Sequence, residues 1–173
     1  STEIDCVAIC THNQIHGEIA ISALENGKHV FCEYPAARYL GEVQQLRAFI
    51  NSRGPVFRFA HGEQVSHRHR KLKEIIRECG ELTIAQFTRL TAGRGVRPEI
   101  LFNLNLSGPP ALFFVYHVYP VIDFFGPVKW VESVASYENL DESGAYNRFL
   151  NTLQVEFCYG GYGQWTWAGG IEI

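Results

Sequence analysis

The chain has 173 residues, 46% of them hydrophobic, and a formal net charge of −3. This length allows one good core or two small ones, and the composition excludes a disordered or fibrous protein. The basic residues are scattered apart from His67–Lys71, which we interpret as the exposed start of a helix with His67 and His69 solvated. We therefore expect no nucleic-acid surface, and no apolar run is long enough to span a bilayer.

The cysteines and the absence of methionine bear on the origin of the chain. The five cysteines form no C-x-x-C pair, and four of them lie in apolar segments. This usage predicts reduced core thiols in a cytoplasmic protein. The sequence contains no methionine, and its first residues lead directly into a predicted strand. We therefore expect it to begin inside a larger polypeptide.

Residues 1–64 predict the later half of a Rossmann-type parallel sheet. Asp5–Thr11 is a continuous apolar run typical of a strand buried on both faces, and residues 16–28 follow with helical spacing. The strand "HVFCEYP", a helix over 40–54 and the strand "PVFRFAH" come next. Two successive strand–helix–strand units predict right-handed crossovers in one parallel sheet.

Residues 65–173 predict a second domain of the α+β type. A helix over Arg68–Cys79 precedes four alternating segments, at 82–90, 128–138, 149–159 and 162–173. Such segments favour a large, mostly antiparallel open sheet with one covered face. The apolar stretch 108–126 predicts a buried helix broken or kinked at Pro120. The fold class expected for the whole chain is therefore α/β, a partial Rossmann sheet followed by an open-sheet domain.

Three predicted strands end in polar residues. They are followed by Thr11-His12-Asn13, by Glu33-Tyr34-Pro35 and by His61-Gly62-Glu63. Ligands of open parallel sheets bind beyond the carboxyl ends of the strands, so the three together predict a binding site. Taken singly they have simpler explanations, since Thr11 and Asn13 could cap the next helix and Pro35 could end a strand.

Other kinds of site are weakly supported. His12 and His16 are four residues apart and could ligate zinc from one helix face, but no H-E-x-x-H accompanies them, so no metal is predicted. A G-x-S-x-G turn is absent, and neither Gly93-Arg94-Gly95 nor Gly160-Gly161 has the context of a phosphate loop. If the protein binds a nucleotide, its phosphate loop lies upstream of Ser1.

The stretch "DCVAICTHNQIHGEIAISALENGKHVFCEYPAA" resembles, over residues 5–35, the signature of the Gfo/Idh/MocA family of NAD(P)-dependent oxidoreductases. That signature combines a strand with T-x-N-x-x-H, A-L-x-x-G-K-H-V and E-K-P. The resemblance implies a Rossmann domain whose G-x-G-x-x-G half is absent from this sequence, and a sheet domain that completes the active site and allows homo-oligomers. We therefore expect the isolated chain to bind the cofactor weakly.

The resemblance also implies a cofactor, a substrate and their contacts. The cofactor is NADP or NAD, and the substrate is a small molecule. The residues that match the motif, and are therefore expected to bind the cofactor, are Thr11, Asn13, His16, Glu33, Tyr34 and Pro35.

The sequence departs from the common family pattern at the catalytic positions. Tyr34 replaces the usual lysine, and Phe113 and Pro120 stand near the expected acids, although His117 is present. An alcohol dehydrogenase needs a base with a pKa near neutrality, which a tyrosine rarely provides. E-Y-P together with "DFFG" is similar instead to the biliverdin-reductase branch of the family.

In that branch the expected reaction is reduction of a planar conjugated substrate. Tyr34 would pack against the substrate or order a water, and His117 would donate a proton. His61, Glu63 and Tyr116 are expected on the substrate side. A sugar or cyclitol dehydrogenase with a relocated base, and a non-catalytic relative that binds a ligand or partner, stay open. Tyr34 could also merely fill space, and His117 could be a core residue.

Overall fold

The computed structural model describes residues 3–50, 54–92 and 97–171. The chain divides into two units, one of Ser1–His61 with Leu106–Gly108 and one of Gly62–Asn105 with Pro109–Ile173. The boundary predicted after residue 64 stays a prediction. Gly93-Arg94-Gly95 lies outside the described residues.

The first unit contains a three-stranded parallel sheet in the order β1-β2-β3. Its strands are β1 (Cys6–Ile9), β2 (His29–Cys32) and β3 (Phe57–Phe59), and its helices are α1 (His16–Glu25) and α2 (Leu40–Ile50). The helical spacing of Ala20, Ala23 and Leu24 places them together in the core, against Ile9 and Cys32. The predicted strand–helix–strand order is confirmed.

Burial in β1 and at the cysteines differs from the prediction. Of the β1 residues only Ile9 is buried and Val7, on the same face, is partly buried in the same core, whereas Cys6 and Ala8 on the opposite face are exposed. Cys32 is buried, and burial, followed by the nearby Glu33 charge, raises the pKa of its thiol to about 12. The other four cysteines are exposed, so the prediction of core thiols was wrong for them. They are Cys6, Cys10, Cys79 and Cys158.

The second unit contains a four-stranded sheet in the order β4-β7-β6-β5. Its strands are β4 (Ile84–Ala92), β5 (Val128–Glu138), β6 (Arg148–Phe157) and β7 (Tyr162–Ile171). The β5–β6 and β6–β7 pairs are antiparallel, and β4 runs parallel to β7. The predicted fold class, with a mostly antiparallel second sheet, is confirmed.

The second unit also contains helical segments. They are α3 (His67–Glu78), α4 (Pro98–Leu101), α5 (Leu104–Ser107), a 3₁₀ helix (Pro110–Phe114) and α6 (Val115–Phe125), although Leu106–Gly108 belong to the first unit. From α6, Val121 packs into a core with Val155, Phe157 and Trp165. The helix type changes before Val115, and α6 continues through Pro120 rather than breaking there. No helix among the described residues is long and apolar enough to cross a membrane.

A partly exposed cluster of polar contacts joins α3 to α6. The Asp123 carboxylate lies 2.9 Å from Nε2 of His69 and 2.7 Å from Nζ of Lys73. His69 and Lys73 are four residues apart and therefore share a helix face. The His69 ring also stacks on Phe124 at 4.6 Å. The expectation that His69 is solvated was wrong, because it is buried against α6.

We predict that Asp123→Asn lowers the free energy of unfolding at pH 7 by about 1–2 kcal/mol, allowing for the partial exposure of Asp123. Hydrogen bonds from Lys73 and then His69 hold the pKa of Asp123 below its usual value. A lowered carboxyl pKa contributes stability above the unfolded pKa and loses it as the pH falls through the folded pKa. Urea unfolding from about pH 5 down to pH 2 should therefore show the difference between the two proteins disappearing.

The control for this prediction is Lys71→Ala, which removes only the exposed Lys71–Glu74 pair. It should leave the free energy of unfolding unchanged within the error of the measurement, because an exposed ion pair is screened by solvent. Equal stabilities of wild type and Asp123→Asn at pH 7 would contradict the prediction.

Candidate functional site

The loops after β1 and β2 are tied together by one buried imidazole. His16, the first residue of α1, is 1% exposed. Its Nδ1 lies 2.9 Å from the carbonyl oxygen of Pro35, and its Nε2 lies 2.9 Å from that of Thr11. His16 therefore fixes the two loops and has no ring nitrogen left to ligate zinc.

Asn13 holds a different segment of the chain. Because α1 begins at His16 with Ile15 as its N-cap and no side-chain cap, the capping interpretation of Asn13 was wrong. Its buried Nδ2 donates a 3.0 Å hydrogen bond to the carbonyl oxygen of Ser107. Ser107 is 1% exposed and belongs to the first unit, with its neighbours 106 and 108. Nothing in the sequence signalled that this segment returns to the parallel sheet.

Two polar groups at the strand ends lack partners in the described part of the chain. The backbone N–H of Glu33 extends the sheet by donating to Ile9, but its half-buried carboxylate makes no hydrogen bond or ion pair. The buried Nδ1 of His12 has none either. Buried polar groups are usually satisfied, so these two are suited to a ligand that brings hydroxyl groups. The ribose of a dinucleotide fits the Glu33 carboxylate in this respect.

Tyr34 and His61, predicted to share the site, are in contact. Tyr34 precedes Pro35 through a cis peptide bond. Its ring centroid lies 5.8 Å from that of His61, which also meets the edge of Phe59 at 5.1 Å. His61 is 7% exposed, and burial lowers its pKa. The His61 ring is therefore neutral at pH 7 and a poor proton donor there.

Glu63 and Tyr116 lie in the second unit. Arg68 engages the Glu63 carboxylate at 2.7 and 2.9 Å, and the Ser66 hydroxyl lies 3.4 Å from it. Glu63 is thus occupied at the start of α3. Tyr116 meets the ring of His117 edge-on at 5.6 Å.

His117 lies beside an arginine that the sequence analysis did not single out. Nη1 of Arg89 is 3.4 Å from Nε2 of His117, and its guanidinium carbon lies 5.3 Å from the Trp167 ring centroid. Burial, and secondarily the charge of Arg89, lowers the pKa of His117. One pattern in the sequence could have pointed to Arg89. It follows Phe87 by two residues, and residues two apart in a strand lie on the same face. At pH 7 His117 is neutral in this arrangement.

A metal site has no support among the residues that the structure describes. No group of three or more histidine, cysteine, aspartate or glutamate side chains in them could hold an ion.

Comparison with known proteins shows which family the first unit resembles. Residues 1–61 match the sequence model of the Gfo/Idh/MocA group, described as an oxidoreductase family with an NAD-binding Rossmann fold. This part of the chain is therefore similar to that family. The resemblance found in the sequence is confirmed.

Two curated relatives and one solved structure extend the likeness beyond residue 61. The chain is 28% identical over 138 residues to scyllo-inositol 2-dehydrogenase (NADP⁺) of Bacillus subtilis, covering 75% of this chain and 42% of the relative. It is 26% identical over 114 residues to myo-inositol 2-dehydrogenase of Thermotoga maritima, covering 66% and 34%. Biliverdin reductase from Synechocystis sp. PCC 6803, solved with biliverdin and NADP⁺, superposes with a TM-score of 0.90 at 24% identity, covering 100% and 55%.

The structural likeness establishes the fold of both units. The chain spans about a third to a little over half of the length of these three proteins.

We predict that His16→Ala lowers the free energy of unfolding by about 2 kcal/mol, since it removes two hydrogen bonds of about 1 kcal/mol each. The backbone amides of residues 33–37 should exchange faster with solvent, because the loop after β2 loses its tie to the loop after β1. Denaturant unfolding and hydrogen-exchange mass spectrometry would measure the two effects.

Asn26→Ala is the matched control, because Asn26 makes one exposed hydrogen bond, to Ser22, at the other end of α1. A His16→Ala protein that exchanges at residues 33–37 like Asn26→Ala would show that His16 does not hold the loops.

Proposed function

We propose that the full-length protein is an NAD(P)H-dependent oxidoreductase, similar to biliverdin reductase, that reduces a planar conjugated substrate. The observation that carries the proposal is at the strand ends of the first unit. There Glu33, whose carboxylate has no partner among the described residues, directly precedes Tyr34, which stands where the family signature has lysine.

Glu33 is the proposed contact to the cofactor ribose, because an ionised carboxylate accepts hydrogen bonds from hydroxyl groups. Thr11, Asn13, Tyr34 and Pro35 belong to the same loops and are proposed to line the nicotinamide side. His16 supports them from below by holding Thr11 and Pro35. The reduced nicotinamide, when bound, supplies a hydride and becomes NAD(P)⁺.

The substrate class follows from the acid–base groups. Reduction of a bilin places the hydride on a methine carbon and a proton on a pyrrole nitrogen, so no hydroxyl has to be deprotonated. Tyr34 then has no proton to move, and its ring can pack against a flat conjugated system. His117 is the proposed proton donor, although its lowered pKa requires a bound anion to favour the protonated form. The solved biliverdin reductase with the same fold supports this choice.

A second candidate is a sugar or cyclitol dehydrogenase. Its support is the neutral state of His61 and His117, because oxidation of an alcohol needs a group that can accept a proton near pH 7. The likeness to two inositol dehydrogenases favours it as well. In this second candidate, His61 or His117 would accept the proton in place of the lysine that the family has at the position of Tyr34.

Substrate turnover separates the two candidates. With NADPH or NADH, we predict that the full-length protein removes the visible absorbance of biliverdin. With NADP⁺ or NAD⁺, we expect no cofactor reduction by a panel of sugars and inositols. Turnover of any panel member without turnover of biliverdin would establish the dehydrogenase instead. Activity with neither class of compound would remove both proposals.

Glu33→Gln tests the cofactor contact separately. We predict that it raises the NAD(P)H dissociation constant about 10–100-fold, since hydrogen bonds to a charged acceptor contribute about 1.5–3 kcal/mol. Fluorescence titration of NAD(P)H would measure the change in the full-length protein. Glu25→Gln, at the exposed end of α1, is the control with the same change in charge and should bind like wild type. Equal dissociation constants for the two variants would remove Glu33 from the cofactor site.

A further inference from the structure

The second unit contains a cavity of about 290 Å³ with aromatic walls. The face of β4 and β7 supplies Phe87, Arg89, Trp165 and Trp167, and α6 supplies His117. Phe87 lies nearly parallel to Trp165, with the ring centroids 5.0 Å apart. Aromatic rings thus line the cavity, and the Arg89 guanidinium and the His117 imidazole also lie on its wall.

Arg89 gives this cavity one uncompensated positive charge. No acidic side chain lines the space, and in the described part of the chain no carboxylate lies within ion-pairing distance of Arg89. Arg89 contacts Trp167 and His117. A guanidinium has no acceptor, so His117 faces it with an unprotonated Nε2 and carries its proton on Nδ1. The charge that a ligand meets is therefore that of Arg89.

Resting on the proposed function, we infer that this cavity binds a carboxylate of the substrate, with Arg89 as the anion-binding residue. The planar guanidinium presents parallel N–H groups that match the two oxygens of a carboxylate, and Trp167 supports it from one side. The neighbouring aromatic side chains suit a flat, apolar group attached to that carboxylate.

The volume restricts what enters. Ligand cavities that enclose a drug-sized molecule span about 300–1,000 Å³, so this one is at the lower end. It accommodates one acidic arm of a large substrate and part of the adjoining ring rather than a whole tetrapyrrole. Bilins carry two propionate carboxylates, whereas neutral sugars and cyclitols carry none. Arg89 is thus assigned as a residue that selects acidic over neutral substrates.

A binding experiment tests the assignment without depending on turnover. In full-length protein labelled with ¹⁵N, 2-naphthoate should shift the indole N–H signals of Trp165 and Trp167 and leave that of Trp130 in place. The neutral analogue 2-naphthalenemethanol should bind at least about tenfold more weakly. Arg89→Gln should weaken naphthoate binding by about tenfold or more, with a smaller loss for Arg89→Lys. Arg77→Gln, an exposed arginine in the last turn of α3, should bind like wild type.

Naphthoate binding that Arg89→Gln leaves unchanged, or equal binding of the acid and the alcohol, would overturn the assignment. If naphthoate binds through Arg89 but biliverdin is not reduced, the carboxylate site stands and the proposed function fails. If biliverdin is reduced, its KM should rise about tenfold in Arg89→Gln, and its dimethyl ester should show no such difference between the two proteins. Equal KM values for biliverdin in wild type and Arg89→Gln would also show that Arg89 does not bind the substrate.

Discussion

The parallel register of β1, β2 and β3 is the constraint on which the first unit depends. Because the three strands run in one direction, the segments that follow Ile9, Cys32 and Phe59 reach the same edge of the sheet. Parallel pairing alone would leave those segments free to move. The two carbonyl contacts of His16 remove that freedom for the first two, and the contact of Tyr34 with His61 links the second to the third. A buried histidine thus fixes the backbone from which Glu33 and Tyr34 project.

The fold was largely predictable because its signals are local. Apolar runs, helical spacing and alternation placed the two strand–helix–strand units and the four strands of the second sheet. Two features of the fold were not predictable from such patterns. The parallel pairing of β4 with β7 joins strands that are distant in sequence, and Ser107, the last residue of α5, belongs to the first unit. Both depend on long-range packing, which one sequence does not record.

The site was less predictable, because its residues act through contacts that sequence spacing does not reveal. The motif at residues 11–35 located Glu33 and Tyr34, but it could not show that the His16 ring is occupied by two backbone carbonyls. The charged residues around His69 predict that it is solvated. In the structure it is buried and in contact with Asp123. Arg89 was overlooked because one arginine in an alternating strand is ordinarily a solvated side chain. Its position opposite Trp167 gives it a different environment.

The two candidate reactions would require opposite protonation states of His117, and the charge of the neighbouring Arg89 bears on which state is favoured. With no anion present, burial and the adjacent guanidinium favour the neutral imidazole, the form that accepts a proton in alcohol oxidation. A carboxylate bound at Arg89 would offset that positive charge and favour the imidazolium, the form that donates a proton in bilin reduction. Under the proposed function, the charge of the substrate, rather than the identity of the histidine alone, would therefore set the direction of proton transfer. This dependence explains how a helix without the usual family acids could still support a reductase.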